Sequence, residues 1–88
     1  MAWTLEYTRT ARKAVEKLDL QNRNRIHEFL IRRVAELSNP RDIGKALKGP
    51  FSAYWSYRVG DFRIICDIRD DRLVIIVVTV GNRRDVYK

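Results

Sequence analysis

A Gly-Asp pair at positions 60 and 61 sets the register of the residues on either side of it. The stretch Tyr54-Trp55-Ser56-Tyr57-Arg58-Val59-Gly60-Asp61-Phe62-Arg63 alternates aromatic or apolar with polar residues around that pair, the pattern of a β-hairpin. Gly at the first central position suits a two-residue II′ turn. Such a turn sets Val59 opposite Phe62 and Arg58 opposite Arg63. Strand side chains alternate between faces, so Ser56, Arg58 and Arg63 share one face, and Trp55, Tyr57, Phe62 and Ile64 the other. Like charges directly opposite each other on a sheet destabilise it by about 0.2–1 kcal/mol. A chain that keeps such a pair has reason to hold an anion between them; the structural alternative is two solvated arginines on an exposed hairpin.

The rest of the chain supplies a single domain over residues 1–88. Residues Met1 to Tyr7 alternate as a half-buried strand. Thr8 or Thr10 can cap a helix carrying Ala11, Ala14, Val15 and Leu18 on one side, with Arg12 and Glu16 spaced for an outer i,i+4 pair. Asp19 can cap a second helix that turns Ile26, Phe29, Leu30, Val34 and Leu37 inward and ends before Asn39-Pro40. The short link between them predicts an antiparallel helix hairpin. Residues 39–50 form a loop in which Lys45-Ala46-Leu47-Lys48-Gly49 is too short for an independent element; Leu47 is placed to plug the core, which keeps Lys45 and Lys48 near the hairpin. Asp70-Asp71 predicts a second turn. Leu73 to Val80 is apolar on both faces, as in a covered or central strand. Pairing across Asp70-Asp71 puts Ile65, Val74, Ile76 and Val78 on the arginine face, a mixed surface suited to a groove or a partner. Cys66, Leu73, Ile75 and Val77 fall on the aromatic face, which the helices should cover. The order is β-α-α-β-β-β: an α+β fold with a small antiparallel sheet against an N-terminal helix hairpin.

Composition narrows the function. Lys and Arg number 18 against 11 Asp and Glu, a net charge of +7, which favours a polyanionic partner, usually nucleic acid. Arg23, Arg25, Arg32 and Arg33 on the second helix form a strip able to lie along phosphates, or a wet face partly paired with Glu28 and Glu36. His27 has neither a second histidine nor clustered cysteines, so no metal or cofactor is expected. Cys66, the one cysteine, lies in an apolar strand pattern and reads as a buried thiol of a reduced, cytoplasmic protein. No signal peptide is visible, and the longest apolar run is too short to span a bilayer. Gly81 is expected to bend the chain, returning Arg83 and Tyr87, four residues apart, towards Arg58 and Arg63.

Taken together, "LKG", "YRVGDFRI" and "VGNRRDVY" resemble the RelE toxins of the RelE/ParE toxin–antitoxin superfamily over nearly the whole chain. The resemblance implies a ribosome-dependent endoribonuclease that cuts mRNA in the A site, held in check by a RelB-like antitoxin, the pair also able to sit on operator DNA. By position, it implies catalytic roles for Arg58, Arg63, Arg83 and Tyr87. Lys45, Lys48, Ser56, Asn82 and Arg84 are expected beside them as substrate-binding residues. Ser56 departs from the family's lysine and Asn82 from a frequent histidine, leaving Tyr87 as the nearest base, with Asp61 and Asp85 as less suited ones. Two other functions fit the same features: a ParE-like inhibitor of DNA gyrase, and a nucleic-acid-binding module without catalysis.

Overall fold

The computed structural model describes residues 3–82. The chain runs β1 (Thr4–Tyr7), α1 (Arg9–Glu16), α2 (Leu20–Glu28), β2 (Lys45–Ala46), β3 (Trp55–Val59), β4 (Phe62–Arg69) and β5 (Val74–Asn82). The sheet has five strands in the order β1-β5-β4-β3-β2, so β4 is its centre. The expected α+β fold is present, with two additions. β1 lies at one edge and pairs with β5 in parallel, while the other ladders are antiparallel. Lys45 and Ala46, expected in a loop, make a two-residue strand on the outer edge of β3.

Thr8 caps α1 as expected, its hydroxyl accepting from the Ala11 amide at 3.0 Å and donating to the Val78 carbonyl at 2.7 Å. One threonine thus satisfies an orphan helix donor and ties α1 to the sheet. Asp19 stands at the N-cap of α2, but its carboxylate accepts from the Asn22 side chain at 2.7 Å instead of from the backbone. α2 then continues as a π-turn over Phe29–Val34, closed by the Ala35 amide donating to the Leu30 carbonyl at 2.8 Å. Ile26, Leu30, Val34 and Ala35 are buried, and Phe29 and Leu37 are half-buried. The wider turn therefore keeps the inward stripe on the sheet while adding Ala35 to it.

The helix-covered face holds Trp3, Tyr57, Val59, Ile64, Cys66, Ile68, Ile75 and Val77, as alternation requires. Three local features were not anticipated. The turn after β4 spans residues 70–73, not two residues, and Leu73 sits in it with φ 52°, so it leaves the strand and is 37% exposed. A bulge opposite Ile65 and Cys66 makes Val78 the extra residue of β5, which returns Val80 to the core. Gly81 does not bend the chain: it stays in β5, paired with Arg63. The arginine face is also drier than expected, since Ile65 and Val74 are buried and Ile76 and Val78 half-buried. Among the described residues no helix is long and apolar enough to cross a membrane.

Candidate active site

The hairpin register is the one the Gly-Asp pair predicts: Val59 opposite Phe62 and Arg58 opposite Arg63. Gly60 has φ 58°, while Leu73 is the one described non-glycine residue with positive φ, so the turn has the II′ pattern at its first central position. Beyond the β2 pairing at Ser56 and Trp55, the outer edge of β3 opens beside Tyr57 and Arg58. A cleft of about 360 Å³ lies there. Arg58 and Arg63 line it from the hairpin, Lys45 from β2 and Arg33 from the π-turn, with Ser56 and Gly44 among its other walls. No carboxylate lines it among the described residues. Four cations thus share one concavity, an arrangement that raises the local concentration of anions.

The floor of the cleft is rigid for reasons visible in the chain. Asn39 accepts from the Arg41 amide at 3.0 Å and starts a 3₁₀ turn over Pro40–Asp42. The Tyr57 hydroxyl donates to the Pro40 carbonyl at 2.6 Å, and the Trp55 indole to the Ile43 carbonyl at 2.7 Å. Arg41 forks onto both oxygens of Asp70 at 2.9 Å, strapping this loop to the β4–β5 turn. That hydrogen-bonded pair holds the Asp70 carboxyl below its usual value. Gly44, with φ 84°, lies so close to β3 that a Cβ would meet the Ser56 carbonyl at 2.5 Å and the Trp55 indole nitrogen at 2.7 Å. Only glycine lets the chain pass there and deliver Lys45 into pairing with Ser56. Burial pushes the Tyr57 phenol well above its ordinary value, with Cys66 adding to the rise and Arg41 opposing it. Its proton is committed to Pro40, so Tyr57 supports the cleft and does not serve as a base.

A second concavity of about 330 Å³ adjoins the first, lined by Lys45, Ser56 and Arg63 in common with it and by Ala46, Leu47, Lys48 and Phe51 beyond. Of the residues anticipated as functional, Arg58, Arg63, Lys45, Lys48 and Ser56 are brought together around these two clefts. Asn82 is exposed at the end of β5, opposite Phe62, so the pleat turns it from the Arg63 face. Arg83, Arg84, Asp85 and Tyr87 lie outside the described residues. Asp61 is an exposed turn residue.

The residue sequence reasoning placed elsewhere is Arg33, assigned to a basic strip along the helix. That strip divides: Arg33 enters the cleft with Phe29, and Arg32 pairs with Glu28. Arg23 donates to the Leu18 carbonyl at 3.3 Å, and Arg25 lies over Gly60, where a Cβ would meet its guanidinium at 3.1 Å. The signal was the i,i+4 spacing of Arg33 from the inward-facing Phe29. His27 is exposed and faces the Tyr7 hydroxyl at 3.3 Å. No group of His, Cys, Asp and Glu able to hold a metal occurs among the described residues. Cys66 is fully buried and its thiol pushed far up by that burial, as a neutral packing residue should be.

Two helices on a small five-stranded sheet form a fold shared with solved toxins of bacteria and archaea. The sequence matches the family described as ParE toxin of type II toxin–antitoxin system, parDE, over residues 5–87, and the chain belongs to that family, within the RelE/ParE superfamily. It is 29% identical to Toxin RelG of Mycobacterium tuberculosis, over 100% of this chain and 99% of that one. Among solved structures it is similar to the toxin–antitoxin complex RelBE2 of M. tuberculosis, with TM-score 0.86 and 26% identity over 97% of this chain and 95% of that one. It also shares its fold with a mutant of E. coli toxin RelE in the free state, with TM-score 0.79 and 24% identity over 99% and 90% of the two chains. The protein is therefore a toxin of a type II toxin–antitoxin system on the RelE fold.

Proposed function

We propose that this toxin is a ribosome-dependent endoribonuclease acting on mRNA in the A site. The observation that carries the reading is the gathering of Arg33, Lys45, Arg58 and Arg63 at one cleft. In the reaction the 2′-hydroxyl attacks its own 3′-phosphate, the bond from phosphorus to the next 5′-oxygen breaks, and that oxygen takes a proton. The products are a 2′,3′-cyclic phosphate and a 5′-hydroxyl. Negative charge grows on the equatorial oxygens as the attack proceeds, and fixed guanidinium groups stabilise it more than the ground state. Arg63 is assigned to those oxygens and Arg58 to the attacking or leaving oxygen, each as a planar fork that stays charged. Arginine is a poor proton acceptor. The reading therefore assigns the base to Tyr87, whose phenol nearby cations would acidify, and a further phosphate contact to Arg83. The ribosome supplies the twisted RNA backbone needed for in-line attack.

A RelB-like antitoxin is the expected partner, as in the RelBE complexes solved for E. coli and for Pyrococcus horikoshii. An acidic, partly disordered partner that folds on binding would neutralise a cleft of this charge.

The family match favours a second reading, inhibition of DNA gyrase. Purified toxin, purified ribosomes and a defined mRNA separate the two. Primer extension should reveal codon-linked cuts with cyclic phosphate ends. Inhibited DNA supercoiling with uncut RNA would replace the nuclease by the gyrase inhibitor.

A further inference from the structure

The nuclease reading places a phosphate at Arg63, and on that reading the second cleft has a chemical task of its own. Arg63, Lys45 and Ser56 stand on the boundary between the two concavities. A phosphodiester held at that boundary has one nucleoside on each side of it. Beyond those three, the second concavity is lined by the exposed Phe51 and Lys48, the half-buried Leu47 and Ala46.

Phe51 is 48% exposed, among the most exposed large hydrophobic side chains described. Core packing does not explain it, because it stands outside the buried cluster. Its backbone is nonetheless held firmly. Gly49–Phe51 forms a 3₁₀ turn in which the Ser52 amide donates to the Gly49 carbonyl at 3.1 Å. The Tyr54 amide donates to the Phe51 carbonyl at 3.0 Å, and the Leu47 amide to the Tyr54 carbonyl at 3.3 Å. The aromatic ring is therefore presented by a short hydrogen-bonded loop, and little ordering remains to oppose a ligand stacking on it. An exposed aromatic beside a track of cations is the common platform for single-stranded nucleic acid: bases stack on the ring while lysines follow the backbone.

We propose that Phe51 is the stacking platform for the base of a nucleotide flanking the reacting phosphate, with Lys48 and Lys45 holding the adjoining backbone. The site takes an unpaired RNA base by its face. It therefore positions substrate without choosing among bases by hydrogen bonding, since every base offers a stacking face.

The test is a double-mutant cycle between protein and RNA, read first by binding. Short single-stranded RNA is offered intact and with single abasic positions scanned along it, to the wild-type protein and to Phe51→Ala. At one position the abasic substitution should cost wild-type affinity about tenfold, the scale of one base–aromatic stack. The same substitution should cost Phe51→Ala almost nothing more, and Phe51→Trp should bind intact RNA as the wild type does. Ribosome-dependent cleavage by Phe51→Ala should show a raised KM with little change in kcat. Additive losses at every position, or an unchanged affinity in Phe51→Ala, overturns the proposal. So does a loss confined to antitoxin binding, which would make Phe51 a protein contact. Failure of wild-type protein to cut mRNA counts against the nuclease reading alone, because the cycle is read in binding.

Discussion

The central strand β4 presents two faces built by opposite rules. On one, Ile64, Cys66 and Ile68 lie under the helices, the first two wholly out of water. On the other, Arg63 faces Arg58 across the hairpin and Asp67 pairs with Arg69, with Ile65 buried between them. The first face is a set of nonspecific apolar contacts that a similar volume would satisfy. The second holds like charges side by side, which the fold tolerates because the apolar face and the loop straps supply its stability. Alternation along one strand is what lets a chain of 88 residues carry both.

Substitutions should separate the two faces. Leu30→Ala, under the sheet, should lower unfolding free energy by about 2–5 kcal/mol in urea titrations, through lost burial and the cavity left behind. Gly44→Ala should cost about 1–3 kcal/mol from strain at positive φ, and the displaced β2 should also weaken RNA cleavage. On the other face, Arg63→Ala should reduce ribosome-dependent cleavage by about a hundredfold or more, the scale of one lost transition-state donor. Arg58→Ala should likewise lose activity, while its unfolding free energy in urea titrations changes by no more than about 0.5 kcal/mol, as for a surface substitution. If Arg58→Ala lost stability as Leu30→Ala does, the division between faces would fail.

Titration sharpens the same contrast more gently. Cys66 and Tyr57 are held protonated by burial, while their ordinary values are 9.0 and 10.0. The unfolded chain releases those protons first, so stability is full below about pH 9 and falls as pH rises above it. Asp70 has the opposite sign. Its folded value is lowered by Arg41, so its contribution is present above the ordinary carboxylate range and is lost as pH falls through the folded value. Asp70→Asn should flatten that acid limb slightly, the smallest of these effects, because the pair is exposed to solvent.

Much of this was legible in the chain because it is local. Gly60 dictates the pairing of Arg58 with Arg63, Thr8 caps the helix three residues on, and strand alternation separates Tyr57 from Ser56. The parts that were not legible depend on distant residues or on single-residue irregularities. Nothing near Thr4 announces a parallel partner at Val74. The bulge at Val78 and the positive φ of Leu73 carry no residue signature, since both are apolar side chains in an apolar run. Arg33 reads as surface charge until the π-turn and the loop at Gly44 are placed around it. The candidate site was largely legible for the same reason: its hairpin half is local and Lys45 was expected beside it, while the Arg33 wall arrives through tertiary packing.

Among the described residues the edge strand β1 has β5 as its one sheet neighbour, 70 positions further along. Chains are made from the amino end, so the first strand waits unpaired while every other element emerges. A newly made copy therefore cannot close this ladder of its sheet until synthesis has passed β5. Assembly order alone would keep the toxin's sheet unfinished for as long as β5 is still being made.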